Sequence, residues 1–343
     1  MWKSSVVLFG CVAAACGAGE PAPVGALARF EVHGDLGDGN VLLAPIRFQS
    51  LTLAPIAASG ETSSEEYLVL DEAMAQGLVA IDEQGPVNSL TLANRATLPL
   101  FLLSGEVVIG GKQDRIIGKN TIVTAAATEA IPVFCVEHGR WGGSQAGFTT
   151  AGVLAHSSLR EKANFDGQDT VWKEVAEKNA KRQTSNPTET YRHSAAQQTG
   201  ASVATWEEHF DRALASVPSP ARGRLVGYAV AINGEVVAVD VFENPRLLAK
   251  LDRKLRRSYY AEALDVAANS DARPPDAAAI RAFVARAETA PAERVHESSG
   301  ADTVNNVAAD SASTQVMSKK AKPADGKAAR PVFKSVQKRS KAK

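Results

Sequence analysis

Cysteine is scarce in this chain: three in 343 residues, at positions 11, 16 and 135. Two of them fall in the first sixteen residues, where an export leader and its cleavage point are expected. Cys135 then stands alone, so no internal disulfide can form even in an oxidising compartment, and a core must hold the fold. Net charge is also missing. Thirty-eight Lys and Arg balance thirty-eight Asp and Glu, so overall charge marks out no nucleic-acid partner. The six histidines, at 33, 138, 156, 193, 209 and 296, show no HxH or HxxxH spacing, which leaves no metal site to expect. No Gly-x-Ser-x-Gly elbow, Walker loop or dinucleotide fingerprint is present, and the run GDLGDG at 34–39 lacks the strand-turn-helix context such a fingerprint needs. The familiar hydrolase and nucleotidase signatures are therefore absent, as is any internal repeat, and nothing calls for a cofactor.

Against these absences, hydrophobic content of 45% and charged content of 22% are those of a folded protein with a sizeable core. The first residues read as an export signal. Lys3 precedes an apolar stretch at 6–15, too short to span a bilayer, that ends in three alanines before Cys16. Residues 1–15 are expected to be a signal peptide, Cys16 an acylated first residue, and 16–26 a flexible tether. Exported, with an outer-membrane lipid anchor or a periplasmic location, is the resulting expectation. At the other end, from residue 319 on, ten Lys or Arg face one acid, Asp325. Large apolar residues are few beyond about 290, so 291–343 reads as a disordered basic tail able to touch anionic envelope surfaces.

Between these ends the pattern predicts one α+β domain over 27–265 with a short helical extension at 266–290. Its first half is strand-rich, a sandwich-like mixed sheet, and its second half helical. Strands are expected at 27–32, 41–48, 51–56, 67–70, 78–81, 89–93 and 98–103, the last two joined as a hairpin through 94–96. Asp71 is expected to cap a short helix at 71–76 that stops at Gly77. Helices are expected at 157–161, 170–181, 205–215, 246–264 and 277–287, and a polar insertion at about 183–203. Asn233-Gly234 supplies the two positive φ values of a two-residue hairpin between 225–232 and 235–242.

Chemistry concentrates at 105–141. One apolar strand runs into Gly105-Glu106, and Gly110-Gly111 precedes Lys112-Gln113-Asp114-Arg115. A second, 131–137, runs into His138-Gly139-Arg140-Trp141. Glycine permits close approach of backbone to a ligand, and Lys and Arg suit phosphate or carboxylate. Glu106 and Glu137 are the candidate catalytic carboxylates, as bases or water-positioning groups. Lys112, Gln113, Arg115, Arg140 and Trp141 are the candidate ligand contacts. Each also has a plainer role: a solvated turn for Glu106, loop bracing for Gln113 and Arg115, a covered apolar edge for Trp141. Alternation places Ile131, Val133, Cys135 and Glu137 on one strand face, so Cys135 is either a nucleophile or a small buried hydrophobe.

The runs GEVVIGGKQDRI at 105–116 and IPVFCVEHGRW at 131–141 resemble the signature of the ARG and Rhodanese-Phosphatase-superfamily-associated Protein domain. YLVLDEAMAQGLV at 67–79 and GYAVAINGEVVAVDVFENPRLLAKLDRKLRRSYYAEAL at 227–264 extend the resemblance across roughly 27–264. The resemblance implies a domain of unassigned activity, linked by association alone to ADP-ribose or phosphoester chemistry. Asp114 stands where similar sequences would carry Asn, which weighs against Asp114 as a catalytic carboxylate. Two functions are open: hydrolytic or transfer chemistry on a small anionic ligand, or a non-catalytic, lipid-tethered binding or scaffolding module. Convergence of the motif side chains in an open pocket would favour the first, and burial with mutual pairing the second.

Overall fold

A computed structural model describes residues 32–142, 147–308, 312–320 and 331–339. The leader, Cys16 and most of the expected strand at 27–32 lie outside them. The fold is best built outward from the hairpin of β14 (Leu225–Ile232) and β15 (Glu235–Phe242). Its turn is the expected one, with φ of 48° at Asn233 and 84° at Gly234. On one side β14 pairs with β4 (Leu51–Ala58), β2 (Asn40–Leu42) and β1 (Gly34–Gly37) in succession. On the other, β15 pairs with β19 (Pro331–Lys338), then β18 (Ala312–Lys319), β17 (Ala301–Asn306) and β16 (Ala292–Glu297). With β3 (Ile46–Phe48) on β4, this is a ten-stranded antiparallel sheet.

Strand alternation divides its two faces. Leu51, Leu53, Tyr228, Val230 and Phe242 pack against Leu247, Leu251, Leu255 and Tyr259 of α7 (Pro245–Ala263). Ile56, Ala229, Val239 and Val336 pack against Ile280 and Phe283 of α8 (Ala277–Ala287). Both helices start where the sequence places capping groups: the Asn244 side chain accepts from Leu247 N at 2.9 Å, and Asp276 from Ala279 N at 2.8 Å.

A second sheet holds the motif. Its order is β13 (Phe148–Leu154), β9 (Glu106–Gly110), β10 (Arg115–Ile117), β12 (Thr128–Cys135), β7 (Ser89–Asn94) and β6 (Val79–Asp82). One face packs on a three-stranded sheet of β11 (Thr121–Val123), β8 (Leu100–Leu102) and β5 (Leu68–Val69), and on α1 (Leu70–Ala75). The other is covered by α2 (Ser157–Phe165) and α3 (Gln168–Lys181) through Leu159, Ala163, Val171 and Val175. The class is α+β, strand-rich at first with helices mostly mid-chain, but strands return at the end. Among the described residues no helix is long and apolar enough to cross a membrane.

Four expectations need correction. The tail is not disordered where it is described. Residues 292–306, 312–319 and 331–338 form four strands, and Phe333 is buried against Phe101 and Phe242. Besides Met317, Val332, Phe333 and Val336, its buried positions are Ala, Ser, Thr, Asn and Gln, which pair a backbone well yet carry a weak hydrophobic signal. Next, β7 and β8 form no hairpin. Asn94 Nδ2 donates to Leu98 O and Val123 O while Oδ1 accepts from Ala96 N, turning the chain from one sheet into the other. The segment at 183–203 is only partly exposed: Tyr191 just before α4 (Arg192–Ala196), Ala195 within it and Val203 at the start of α5 (Ala201–Ala215) are buried. The one-turn α6 (Ser219–Arg222) then leads into β14. Finally, α1 begins at Leu70 with no side-chain cap, so Asp71 lies in its first turn and is available for other work.

Candidate functional site

The glycines of the motif serve the fold. Gly110 (φ 140°) and Gly111 (φ 51°) turn the chain from β9 towards β10. A Cβ at Gly110 would sit 2.5 Å from Gly147 O, and one at Gly111 2.5 Å from Phe148 Cζ. The close approach expected of them is thus to the neighbouring strand, with no ligand needed to explain it.

Around this turn the polar residues bind one another. Arg115, fully buried, donates from Nη1 to Gln113 O at 2.7 Å and from Nη2 to Glu83 Oε1 at 2.9 Å. Gln113 Nε2 donates to Glu137 O at 2.7 Å. Glu137 Oε2 accepts from Asp114 N at 3.0 Å and from Arg140 Nε at 2.8 Å. Burial alone would raise the Glu137 carboxyl, but the Arg140 hydrogen bond and the Asp114 amide outweigh it and hold the group low. Asp114 is the hub. It accepts from Gly110 N, from Thr190 Oγ1, from Arg140, and from Arg192 at 3.0 and 2.8 Å. An Asn could not balance two guanidinium groups in this way, which explains the carboxylate at this position.

Glu106 belongs elsewhere. It begins β9, and four residues at about 3.3 Å each separate it from Gly110 by roughly 13 Å. One oxygen accepts from Leu103 N at 2.8 Å and the other from Lys254 Nζ of α7. Lys254 also reaches Asp71 Oδ2 at 2.8 Å, and Asp71 Oδ1 accepts from Thr150 Oγ1 at 2.5 Å. Burial pushes the Glu106 carboxyl up from its usual range, with Lys254 opposing. For Lys254 burial works downward, but Glu106 and Asp71 on either side prevail and keep the ammonium charged.

The remaining candidates are spread out. Lys112 is exposed, and its backbone N donates to Glu83 Oε2 at 3.0 Å. Trp141 is 61% exposed. Cys135 shares its strand face with Ile131 and Val133, as expected, and is buried. Burial pushes its thiol up, the opposite of the shift that activates a nucleophile. Two cavities stand out, of about 760 and 570 Å³, and no motif side chain lines either. Among the described residues no group of three or more His, Cys, Asp or Glu could hold a metal ion.

Sequence reasoning missed Glu83, Asp71, Thr150, Arg192 and Lys254 as partners. Asp71 and Lys254 do fall within two of the runs that carry the family resemblance, which was the available signal. It missed a third cluster altogether. Arg160 of α2 lies 3.1 Å from Asp240 of β15, Tyr259 of α7 donates to the same carboxylate, and all three are buried. Arg160 also donates to Ser104 O at 3.3 Å, which ties the motif's entry turn to the large sheet.

These features define a class: a mostly antiparallel α+β protein whose sheets and covering helices are joined by buried, reciprocally paired charges. The model of the ARG and Rhodanese-Phosphatase-superfamily-associated Protein domain matches residues 40–328, and the chain belongs to this family, whose activity is unassigned. No curated protein and no solved structure matches the chain.

Proposed function

We propose that this chain is a non-catalytic binding or scaffolding module, tethered in the cell envelope through Cys16, in which the 105–141 motif is architecture. One observation carries the reading: Glu106, Gln113, Arg115 and Glu137 are all buried and bonded to protein groups, in two clusters at opposite ends of β9. A reacting site keeps charges apart for a ligand, whereas here each is neutralised within the fold. The five tail cations on the described strands and their ends are engaged as well. Lys319, Lys320, Lys334, Lys338 and Arg339 pair with Glu65, Glu297, Glu288, Glu235 and Asp166, so they serve the sheet before any envelope surface.

The catalytic reading has one observation in its favour. Arg140 and Arg192 are 26% and 47% exposed at one rim, where a small anion such as an ADP-ribose, nucleotide or phosphoester group could meet them. In it Glu137 activates water and Arg140 stabilises developing negative charge. A thermal-shift screen of wild type, Arg115→Ala and Glu137→Gln against ADP-ribose, mononucleotides and sugar phosphates separates the two. Architecture predicts no wild-type shift, and destabilisation of about 3–5 kcal/mol for Arg115→Ala, which strands Glu83. A ligand shift that Glu137→Gln abolishes while still folding would establish the site instead. The anchor is tested by fatty-acid labelling, which Cys16→Ala should abolish; an unlabelled wild type would remove the lipoprotein claim.

A further inference from the structure

Cys135 is the one cysteine among the described residues, so no disulfide joins the sheets there. One side-chain cluster nevertheless has the composition of a covalent joint. Lys254 of α7, 6% exposed, stands between two carboxylates, Glu106 of β9 and Asp71 of α1. An amine, a carboxyl to receive it and a second carboxyl to move protons are the groups that amide formation needs. Each is held in place. Lys254 Nζ lies 2.8 Å from Asp71 Oδ2, one C–O bond from the carbon that an amine would attack. Asp71 Oδ1 accepts from Thr150 Oγ1 at 2.5 Å, and Thr150 Oγ1 accepts from Gly152 N at 3.0 Å, so a hydroxyl hydrogen is aimed at the oxygen where negative charge would develop. Glu106, 1% exposed, accepts from Leu103 N on one oxygen and from Lys254 Nζ on the other. Asp71 is 37% exposed, which leaves a released water a way out.

We propose that Lys254 and Asp71 join in an intramolecular amide bond, Nζ to Cγ, that ties α7 to α1. The ion pair is the state before reaction. Lys254 passes a proton to Glu106, whose carboxyl burial has raised against the pull of Lys254, and the freed amine attacks Asp71 Cγ. A second proton leaves the nitrogen by the same route. Glu106 delivers both to Asp71 Oδ2, and the Cγ–Oδ2 bond breaks to release water. Ammonium and carboxylate become amide and water, Glu106 returns to its starting form, and nothing is oxidised or reduced. Two other lysine–acid pairs lack one of these features. Lys178 meets Asp265 at 2.5 Å and Glu262 at 3.8 Å, but Arg182 ion-pairs with the other Asp265 oxygen, where Asp71 has a hydroxyl. Burial would raise Glu262, yet Lys178, His156 and Ser158 hold it low, so it is a poor proton acceptor. Lys250 meets Glu72 at 2.8 Å in a solvent-exposed pair, where water competes. The bond at Asp71 closes a loop between positions 183 apart that contains the whole 105–141 motif, and so restricts the unfolded chain. The inference deepens the architectural reading of Glu106 and rests on it.

The test is mass spectrometry of the full chain after denaturation and trypsin. Residues 48–95 hold Asp71, and 254–256 begin with Lys254, on separate tryptic peptides. In the wild type these should appear joined, with Lys254 uncleaved, and one water lighter than their sum. Glu106→Gln leaves both reacting groups in place and should cut the joined fraction by at least about tenfold, as loss of a proton-transfer group does. Asp71→Ala should abolish it. Lys178 and Lys250 should stay unjoined. The wild-type measurement needs no variant, so the proposal stays open to refutation if Glu106→Gln fails to fold. Unjoined peptides in the wild type, equal joining at Lys178 or Lys250, or a joined fraction that Glu106→Gln leaves unchanged would overturn it. If the wild type is unjoined and Lys254→Met still destabilises, the bond is refuted while the architectural reading stands. If Lys254→Met is tolerated as well, both fall.

Discussion

Lys254→Met removes the only cation that Glu106 touches among the described residues, and burial sets the size of the penalty. Glu106 is 1% exposed and Lys254 6% exposed, so no water replaces the lost partner. An uncompensated buried carboxylate costs about 3–5 kcal/mol. Glu106→Gln should cost less, because Lys254 keeps Asp71 at 2.8 Å and the amide oxygen can still accept from Leu103 N; roughly 1–3 kcal/mol is the expected loss for a hydrogen bond to a charged group. The double variant should be better than the sum of the two, since neither charge is then stranded. The deficit of Lys254→Met should also depend on pH. Without Lys254 the folded carboxyl is raised further above its unfolded value. The folded state then holds a proton that the unfolded state releases, and stability falls as pH rises above the unfolded value. Urea unfolding at pH 7 and pH 5 measures this, with the change read in the midpoint at constant slope. A larger deficit at pH 5 than at pH 7, or additive single variants, would refute the account of Glu106 and Lys254 as a buried structural pair.

Phe333→Ala, in the supposedly disordered tail, should cost about 3–5 kcal/mol because the ring is buried against Phe101 and Phe242. A melting temperature unchanged by it would show that β19 does not dock. Glu207, clamped by Arg257 and Arg253, has its carboxyl drawn down to about 2 against the raising effect of burial. A depressed acid stabilises above its unfolded value and loses that contribution as pH falls towards 2. Wild type should therefore exceed Glu207→Gln by about 1–2 kcal/mol at pH 6, discounted because Arg253 is exposed, with the gap closing below about pH 4. Parallel curves would dismiss the clamp. His156, buried with Tyr191 on Nδ1 and Glu174 on Nε2, is held well below its usual value, chiefly by burial. The unfolded chain takes up that proton first, so stability should fall below about pH 6.5 in wild type and less steeply in His156→Gln; equal slopes would count against a neutral buried ring.

Asn233-Gly234 between two apolar runs, the helices expected at 246–264 and 277–287, and the alternation of Ile131, Val133 and Cys135 were legible because each is local. Turn conformation, helix period and strand period depend on neighbours a few residues away. The family, too, could be read from its paired runs. What the chain alone could not show is which charge meets which. Glu106 and Lys254 are 148 positions apart, and Arg160 and Asp240 are 80 apart. A carboxylate awaiting substrate and one paired across the fold look the same in sequence. Gly110 and Gly111 likewise suggested room for a ligand, when tertiary packing had filled that room with Gly147 and Phe148. The tail's four strands escaped notice for a related reason. Their small and polar residues cannot drive collapse alone, and become sheet only once β15 offers an edge to pair with. Local geometry is encoded where it acts, but burial and charge pairing are properties of the assembled core.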